Sequence, residues 1–383
     1  MTFIVVVGFL MILDVLWTHR QLRRAIIEAR PERRRLDRYP SISVVRPVRG
    51  RDVDAAENFA AALDTGYPGK VETIFVVDDE SDPAWPLLRQ AVAQRSDARL
   101  VVAGPPPQGR TGKLNGMIMG MAAARGELIA FGDSDTRPDR DVLRVAVETL
   151  LQEPNAGSSF APVVVANGAH TAGDVGYALL IDAMYGPAVA LASRPTGDVP
   201  FIMGQLMVLK RSTLAAIGGL DCARGQLVDD MHIGTCVTKA GLRNVQSSHP
   251  LTIVTGGMSM ADFFKLFRRW LLFSRNGLPK SFTWPLWQRG IEFYVGVIAF
   301  AFALLSGHLL AAMVPLAALI LFGASLARLT TAFGGSPIAP RHFWMTLALF
   351  VISPMVLLAT IVHRRVTWRG RDYALDAAAR LAG

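Results

Sequence analysis

The chain has 383 residues, of which 51% are hydrophobic and 19% are charged, and its formal net charge is +9. Because soluble domains carry about 25% charged residues, this chain is apolar for its length, and its hydrophobicity excludes intrinsic disorder. A disulfide scaffold and a zinc site are also excluded, since Cys222 and Cys236 are the only cysteines, expected to be reduced, and the seven histidines are scattered.

The N-terminal segment Thr2–Trp17 is apolar except for Asp14. No basic residue precedes it and no small-residue cleavage site follows it. These features favour a transmembrane signal anchor over residues 1–18 rather than a cleaved signal peptide, and a buried N-terminal helix is the alternative. Eight arginines and three acids lie within Arg20–Arg38. This composition predicts a basic juxtamembrane segment, residues 19–40, that faces anionic lipid in the cytoplasm.

The next part of the chain, residues 41–255, alternates extended apolar runs with helical patterns. The predicted strands are Ser41–Arg46, Thr73–Val77, Leu100–Val102, Leu128–Phe131 and Phe160–Val165. The predicted helices are Ala55–Leu63, Pro83–Gln94, Leu114–Ala124 and Asp141–Leu151. This alternation predicts an α/β domain with a mostly parallel sheet and helices on both faces. Ligands of such sheets bind beyond the carboxyl ends of the strands.

Two acidic clusters follow apolar runs at such strand ends. Asp78 and Asp79 follow the second predicted strand, and loop acids that cap the next helix are the alternative interpretation. Asp133 and Asp135 follow the fourth predicted strand as a D-x-D triplet. Residues i and i+2 of a strand point the same way, so both carboxylates can converge on one Mg²⁺ or Mn²⁺ that keeps positions open for phosphate oxygens.

Two further groups are candidates for the same site. Lys113 opens a helix after a glycine-bearing loop, where its charge and the helix-end amides suit a phosphate, and a surface lysine is the alternative. Asp229 and Asp230 begin a later helix. They either complement the helix dipole or provide a general base at the floor of a cleft.

Residues 256–290 are predicted to form amphipathic interfacial helices. Large apolar side chains and basic side chains alternate in this segment: Phe263, Phe264, Phe267, Trp270, Leu271 and Phe273 with Lys265, Arg268, Arg269 and Arg275. This mixture is typical of a membrane interface. A nucleic-acid-binding patch is the alternative, but the neighbouring apolar segments disfavour it, and we expect no nucleic-acid partner.

Residues 291–362 are predicted to form three C-terminal membrane segments, and a basic tail, residues 363–383, follows them. Ile291–Ala327 is long enough for two short spans with a turn at Ser306–His308, and Phe343–Val362 provides the third. If the first span ends in the cytoplasm, three further spans would leave this tail outside the cytoplasm. The arginines of the tail instead favour the cytoplasmic side. Either a re-entrant segment or a tail that breaks the rule would reconcile the two.

The order of these motifs resembles a GT-A glycosyltransferase of family 2, and more closely the ceramide glucosyltransferase family, family 21. The shared features are the run Ser43-Val44-Val45-Arg46-Pro47-Val48-Arg49-Gly50, Asp82-Pro83-Ala84, the stretch Gly204–Gly219, Arg269-Trp270, and Trp368-Arg369 with Tyr373. The resemblance covers nearly the whole chain. It implies an α/β GT-A domain with α-helical transmembrane segments.

The resemblance also implies roles for individual residues. Asp79, with Asp78 beside it, matches the first family aspartate, which contacts the nucleotide. Asp133 matches the second and forms the metal-binding D-x-D with Asp135. Asp230 matches the third, the base that deprotonates the acceptor. Lys113, Arg269 and Trp270 complete the nucleotide-sugar site. The family signature (Q/R)-x-x-R-W has Gln or Arg at its first position, where this chain has Leu266. Lys265 or Arg268 is the expected replacement for that residue.

The implied activity is that of an inverting glycosyltransferase. It would use Mg²⁺ or Mn²⁺ and move a hexose from a UDP-sugar to the hydroxyl of a membrane lipid. UDP-glucose is the first candidate donor, and ceramide is the first candidate acceptor. A hopanoid or diacylglycerol acceptor, UDP-GlcNAc, UDP-galactose or UDP-glucuronic acid as donor, and a non-catalytic membrane scaffold are the alternatives. The expected location is a bacterial inner membrane, with several spans and a cytoplasmic catalytic domain.

Overall fold

A seven-stranded sheet organises the computed structural model, which describes residues 1–30, 34–165, 170–194 and 196–382. The basic segment predicted at residues 19–40 thus lies partly outside the described residues. The strands are β1 (Ile42–Pro47), β2 (Val71–Val77), β3 (Ala98–Val102), β4 (Leu128–Gly132), β5 (Thr136–Arg137), β6 (Ala156–Phe160), β7 (Val163–Val164), β8 (Leu206–Lys210), β9 (Arg243–Gln246), β10 (Leu251–Ile253), β11 (Arg365–Trp368) and β12 (Arg371–Ala374).

Thirteen α-helices surround this sheet or pack against one another in the described chain. They are α1 (Thr2–Glu28), α2 (Ala55–Leu63), α3 (Trp85–Val92), α4 (Gly112–Ala123), α5 (Val142–Gln152), α6 (Ala172–Ala178), α7 (Gly186–Ser193), α8 (Arg211–Ala216), α9 (Asp229–Lys239), α10 (Met260–Gly277), α11 (Lys280–Leu305), α12 (Leu309–Phe333) and α13 (Met345–Val362). The four helices predicted between residues 41 and 255 are confirmed to within two residues at each end.

The strand order of the main sheet is β3-β2-β1-β4-β8-β6-β9. Among these described strands β8 alone runs antiparallel to its neighbours, so the predicted mostly parallel sheet is confirmed. Strands β2 and β4 flank β1 in parallel. Their carboxyl ends therefore meet at one edge of the sheet, which brings the acids after β2 and after β4 together.

The prediction of one strand over Phe160–Val165 is wrong. The main sheet instead uses Ala156–Phe160 as β6, and the chain leaves that sheet at Pro162, which has no N–H to donate to a ladder. Val163–Val164 then joins a second sheet, in which β10 lies between β5 and β7. The apolar run was therefore divided between two sheets, a difference that hydrophobicity alone does not encode.

Helix α4 packs closely on the sheet because two of its positions are glycine. A Cβ at Gly120 would overlap Val45 and Val76, and one at Gly116 would lie 3.0 Å from Pro47. The helix begins with Thr111 as its N-cap, whose hydroxyl accepts the Leu114 N–H at 3.0 Å. This packing places the first turn of α4 directly over the carboxyl ends of β1 and β2.

Five described helical segments are long and apolar enough to cross a membrane: Thr2–Glu28, Ala172–Ser193, Phe282–Leu305, Leu309–Phe333 and Pro340–Val362. Four of them correspond to the predicted one N-terminal and three C-terminal segments. Ala172–Ser193 was not predicted, and 83% of its apolar window is buried inside the protein. It combines α6, a π-helical turn and α7, and it packs against α1, α10 and α12.

The ends of these helices refine the predicted boundaries. The turn at Ser306–His308 is confirmed, since α11 ends at Leu305 and α12 begins at Leu309. Helix α11 begins at Lys280, however, so the predicted interfacial segment 256–290 is divided between α10 and α11. Helix α1 continues past Trp17 to Glu28, which makes the first part of the basic segment helical.

Helices α1 and α12 run side by side in the same direction. A Cβ at Gly8 would meet Val314, His19 Nδ1 lies 3.0 Å from Ser325 Oγ, and Arg30 donates to the carbonyl of Phe333. Helix α11 runs the opposite way, because the short turn at residues 306–308 joins it to α12. That turn therefore lies at the end of the bundle remote from the sheet.

Helix α13 begins beside the middle of α12 and ends next to the main sheet. Gly323, against which Thr346 and Phe343 pack, lies ten residues, or about 15 Å, before the end of α12. At the other end of α13, Arg268 of α10 donates to the carbonyl of Ala359 at 3.2 Å. The basic tail then forms the β11–β12 hairpin, so the chain leaves α12 and follows α13 on the same, sheet-facing side of the helices.

This arrangement predicts which sites are exposed on each side of a membrane. We expect Ser306→Cys and Thr367→Cys to react with an impermeant maleimide from opposite sides of sealed vesicles, in a background without the free cysteines Cys222 and Cys236. Ser96→Cys on the domain surface is the matched control and should react together with Thr367→Cys. Reaction of Ser306→Cys and Thr367→Cys from the same side would contradict the arrangement.

Candidate active site

A cleft of about 370 Å³ opens at the carboxyl ends of β1, β2 and β4. Helices α4, α9 and α10 and the β11–β12 hairpin form its walls. Its charged side chains are six aspartates (Asp52, Asp78, Asp133, Asp135, Asp229 and Asp230) and five basic residues (Arg49, Lys113, Arg269, Arg369 and Arg371). Trp270 also lines the cleft. All the predicted site residues except Asp79 are therefore brought together.

Lys113 projects from the first turn of α4 to the end of β4. Its Nζ lies 2.6 Å from Oδ1 of Asp133. Burial lowers the pKa of the Lys113 ammonium, but the carboxylates of Asp133, Asp229 and Asp230 outweigh it, and the net direction is upward. Lys113 is therefore held as a cation at the centre of the cleft.

The D-x-D triplet extends from the end of β4. Asp133 is anchored by its backbone N–H, which donates to the carbonyl of Gln205 at 3.0 Å. Asp135 Oδ2 lies 3.3 Å from Arg369, and Ser134 Oγ donates to Asp52 at 2.6 Å. Burial raises the pKa of Asp133, and Lys113 opposes that rise. Both acids of the triplet thus face the cleft, each next to a basic side chain.

The donor set of the triplet fits a hard divalent cation. Carboxylate oxygens are the ligands that Mg²⁺ and Mn²⁺ prefer, and Mg²⁺ is commonly held by one or two carboxylates together with phosphate oxygens. Within the described part of the chain, no three His, Cys, Asp or Glu side chains are close enough to enclose a metal ion. Asp133 and Asp135 are therefore the residues that would hold such a metal.

The acids after β2 divide between two environments. Asp78 faces the cleft, where Arg49 donates to its Oδ2 and Arg371 Nη2 lies 3.0 Å away. Asp79 is exposed and accepts hydrogen bonds from the N–H and hydroxyl of Ser81, which lower its pKa. Of the two predicted nucleotide-binding acids, the structure therefore places Asp78 in the site and leaves Asp79 outside it.

Asp229 and Asp230 both face the cleft from the start of α9. Asp230 Oδ2 accepts the Gly204 N–H at 2.6 Å, and Oδ1 accepts the Met231 N–H at 2.8 Å. Any side chain at position 204 would overlap the Asp230 carboxylate, so the close approach requires glycine. Burial raises the pKa of Asp229 to about 6 against the opposing effect of Lys113.

Arg269 and Trp270 enter the cleft from α10. The Arg269 guanidinium is buried, which lowers its pKa, and lies 6.0 Å from the ring of Phe273 and 5.9 Å from that of Trp368. Among the described residues it has no hydrogen-bonded or ion-paired acid. Trp270 packs against Tyr185 at a ring distance of 4.9 Å. An unpaired buried cation at the cleft is suited to an anionic ligand.

Neither proposed replacement for the missing signature residue reaches the cleft. Lys265 is exposed and pairs with Asp262 at 3.0 Å, and Arg268 binds backbone carbonyls at the end of α13. Arg369 and Arg371 of the hairpin provide basic groups in the cleft instead. Sequence reasoning also missed Asp52, although its position shortly after β1, at the edge where ligands bind, was an available signal.

Comparison with known proteins places these features in a family. The model for Glycosyl transferase family 21 matches residues 1–381. Ceramide glucosyltransferase 1 of Caenorhabditis elegans is 25% identical over 240 residues, which are 61% of this chain and 49% of that protein. Probable glycosyltransferase YdaM of Bacillus subtilis (strain 168) is 26% identical over 140 residues, 36% of this chain and 33% of that protein. The chain spans half or less of the length of these relatives.

A solved structure has a similar fold. The mannosyltransferase PcManGT of Pyrobaculum calidifontis, in complex with GDP-Man and Mn²⁺, aligns with a TM-score of 0.57 and 18% identity over 94% of this chain and 99% of that chain. Five described helical segments of this chain are also long and apolar enough to cross a membrane. The chain therefore belongs to glycosyltransferase family 21 and has a GT-A fold.

Proposed function

We propose that the protein transfers a hexose from a UDP-sugar to the hydroxyl of a membrane lipid with inversion at the anomeric carbon. The observation that carries this proposal is the single cleft that holds the D-x-D acids, Lys113, the acid pair of α9 and the unpaired Arg269 beside apolar helices. UDP-glucose and ceramide are the first candidates as donor and acceptor.

The donor half of the cleft supports binding of a nucleoside diphosphate. Asp133 and Asp135 would hold Mg²⁺ or Mn²⁺, which when bound neutralises the charge of the departing diphosphate. Lys113 and Arg269 provide fixed positive charge at the same place without a reorganisation cost during the reaction. Asp78, at the end of β2, is then the acid available to the nucleoside. PcManGT, which has a similar fold, was solved with a nucleotide sugar and Mn²⁺.

The acceptor half supports a lipid substrate. Trp270, Phe273 and Trp368 give this side of the cleft an aromatic wall. Helix α10 carries two of them and has basic residues on its other positions, which suits the interface between water and lipid. The likeness to ceramide glucosyltransferase 1 makes ceramide the first acceptor to test. A hopanoid and a diacylglycerol are the alternative acceptors.

Asp230 is the proposed general base. Its two backbone hydrogen bonds hold the carboxylate in a fixed orientation in the wall of the cleft. The carboxylate takes the proton of the lipid hydroxyl while the hydroxyl oxygen attacks the anomeric carbon and the bond to UDP breaks. One displacement converts an α-linked donor into a β-glycoside. Asp229, whose pKa is raised to about 6 by burial, is the neighbouring alternative.

A cytoplasmic cleft follows from the same proposal. UDP-sugars are made in the cytoplasm, and arginines concentrate beside the sheet-side end of α1, where the positive-inside rule favours the cytoplasm. We place the protein in a bacterial inner membrane, with α1, α11 and α12 as spans and the hairpin on the cytoplasmic side.

The direct test is transfer by the purified full-length protein. With Mn²⁺, UDP-glucose and ceramide in detergent micelles, we expect a hexosylceramide product by mass spectrometry, and no product in EDTA or from Asp135→Ala. Parallel reactions with diacylglycerol, a hopanoid and the other UDP-sugars identify the true pair. Transfer that persists in EDTA would contradict the metal proposal, and the absence of every lipid product would contradict the acceptor class.

Asp230→Asn is expected to lower turnover by about 10²–10⁴-fold, because an amide cannot accept the acceptor proton. UDP affinity should stay within about twofold, since general-base loss does not touch the diphosphate. Turnover and calorimetric UDP affinity are measured on one preparation, with Asp229→Asn as the matched neighbour. Near-normal turnover in Asp230→Asn would transfer the role of base to Asp229.

Gly204→Ala is expected to reduce turnover strongly, because the added methyl group occupies the space of the Asp230 carboxylate. UDP affinity should again be spared. Gly290→Ala is the matched control, since a Cβ at that position of α11 has no atom within 4 Å, and we expect it to be fully active. Equal activity of the two variants would show that the contact with Gly204 does not position Asp230.

A further inference from the structure

The turn of the β11–β12 hairpin is Arg369-Gly370, and both residues have positive φ, 52° and 70°. Two-residue turns of this kind favour Asn-Gly, because L-residues with larger side chains pay a steric cost in the left-handed region. An arginine at such a position stores backbone strain, which persists where the surrounding structure holds it. The contacts of the Arg369 side chain indicate what holds it here.

Arg369 bridges two carboxylates of the cleft. Its Nη1 donates to Asp52, and its Nη2 lies 3.3 Å from Oδ2 of Asp135. Asp52 also accepts the hydroxyl proton of Ser134, the middle residue of the D-x-D triplet. One guanidinium is thus tied to the triplet both directly through Asp135 and indirectly through Asp52 and Ser134.

Arg371 makes a different contact from the other side of the same turn. Its Nη2 lies 3.0 Å from Asp78, and its Nη1 is buried without a hydrogen-bond partner. A Cβ at Gly112 would overlap that nitrogen, and the hydroxyl of Tyr373 accepts the Gly112 N–H at 3.1 Å. The hairpin therefore lies against the start of α4, where the diphosphate-binding groups gather.

We propose that Arg369 is a donor-binding residue that shares Asp135 with the divalent metal. The Arg369 guanidinium would yield Asp135 to the metal and turn its Nη2 toward the diphosphate of the donor, while its Nη1 stays on Asp52. Arg371 binds the diphosphate without competing for the metal, because its carboxylate partner is Asp78. This inference rests on the proposed metal-dependent use of a nucleotide sugar.

The charges of the cleft favour such an exchange. Six carboxylates face five basic groups, so the cleft alone carries a net charge of about one negative unit at neutral pH. A divalent metal adds two positive charges, and the diphosphate of a UDP-sugar adds two negative charges. The net charge is therefore the same before and after binding, and Asp52 and Asp135 each have a cation at both stages.

The test measures binding in the full-length protein without turnover, with Mn²⁺ followed by electron paramagnetic resonance and UDP by calorimetry. Arg369→Asn keeps a residue that suits the turn and removes the guanidinium. We expect its affinity for Mn²⁺ alone to rise about tenfold and its affinity for UDP, at saturating Mn²⁺, to fall about tenfold, each equivalent to about 1.4 kcal/mol. Arg371→Ala is the matched control and should weaken UDP binding with no change for Mn²⁺ alone.

Opposite changes in the two affinities of Arg369→Asn support the proposal, and an unchanged or weaker affinity for Mn²⁺ overturns it. A rise in Mn²⁺ affinity in Arg371→Ala equal to that in Arg369→Asn would also overturn it, because it would reduce the effect to a general loss of positive charge. Arg369→Lys provides a second measurement if the first variant does not fold, since an ammonium cannot bridge two carboxylates as a guanidinium does, and its Mn²⁺ affinity should also rise. Failure of the unmodified protein to bind both Mn²⁺ and UDP would instead contradict the proposed function.

Discussion

Six carboxylates meet at one edge of the sheet, and each needs a cation or hydrogen bonds to replace the water it loses. Lys113 is central to this balance, because its ammonium lies 2.6 Å from Asp133 and is also attracted by the acids of α9. Its position depends on the close packing of α4, which the glycines at 116 and 120 permit. The sheet edge, the helix and the acid pair are therefore coupled through one buried charge.

The apolar helices and the cleft form one structural unit. Arg268 of α10 binds the carbonyls at the end of α13, and the hairpin that follows α13 closes the cleft with Arg369 and Arg371. The buried segment Ala172–Ser193 also packs against α10 and α13, and it contacts α1 and α12.

Local patterns predicted much of the α/β domain and the main acids of the site. The alternation of apolar strands with helices located β1, β2, β3 and β4 and the helices among them, because these elements are short and bury a continuous apolar face. The patterns mispredicted the strand at Phe160–Val165, where one apolar run belongs to two strands of different sheets. They also did not predict β8, which lies between Gly204 and Gly218. The helical segment Ala172–Ser193 was missed because 83% of its apolar window is buried, and burial of most of its surface weakens the amphipathic signal.

By itself the sequence determined which acids follow the strands and which helices are apolar enough for lipid, since both depend on neighbouring residues. Only the tertiary structure decided that Asp78 rather than Asp79 faces the cleft, that Gly204 holds Asp230, and that the basic tail belongs to the site. Arg369 lies 317 residues from Asp52 and 234 from Asp135, and no local pattern relates them. The reason is physical: pairing between charges depends on distance in space, and the fold alone brings distant parts of the chain within that distance.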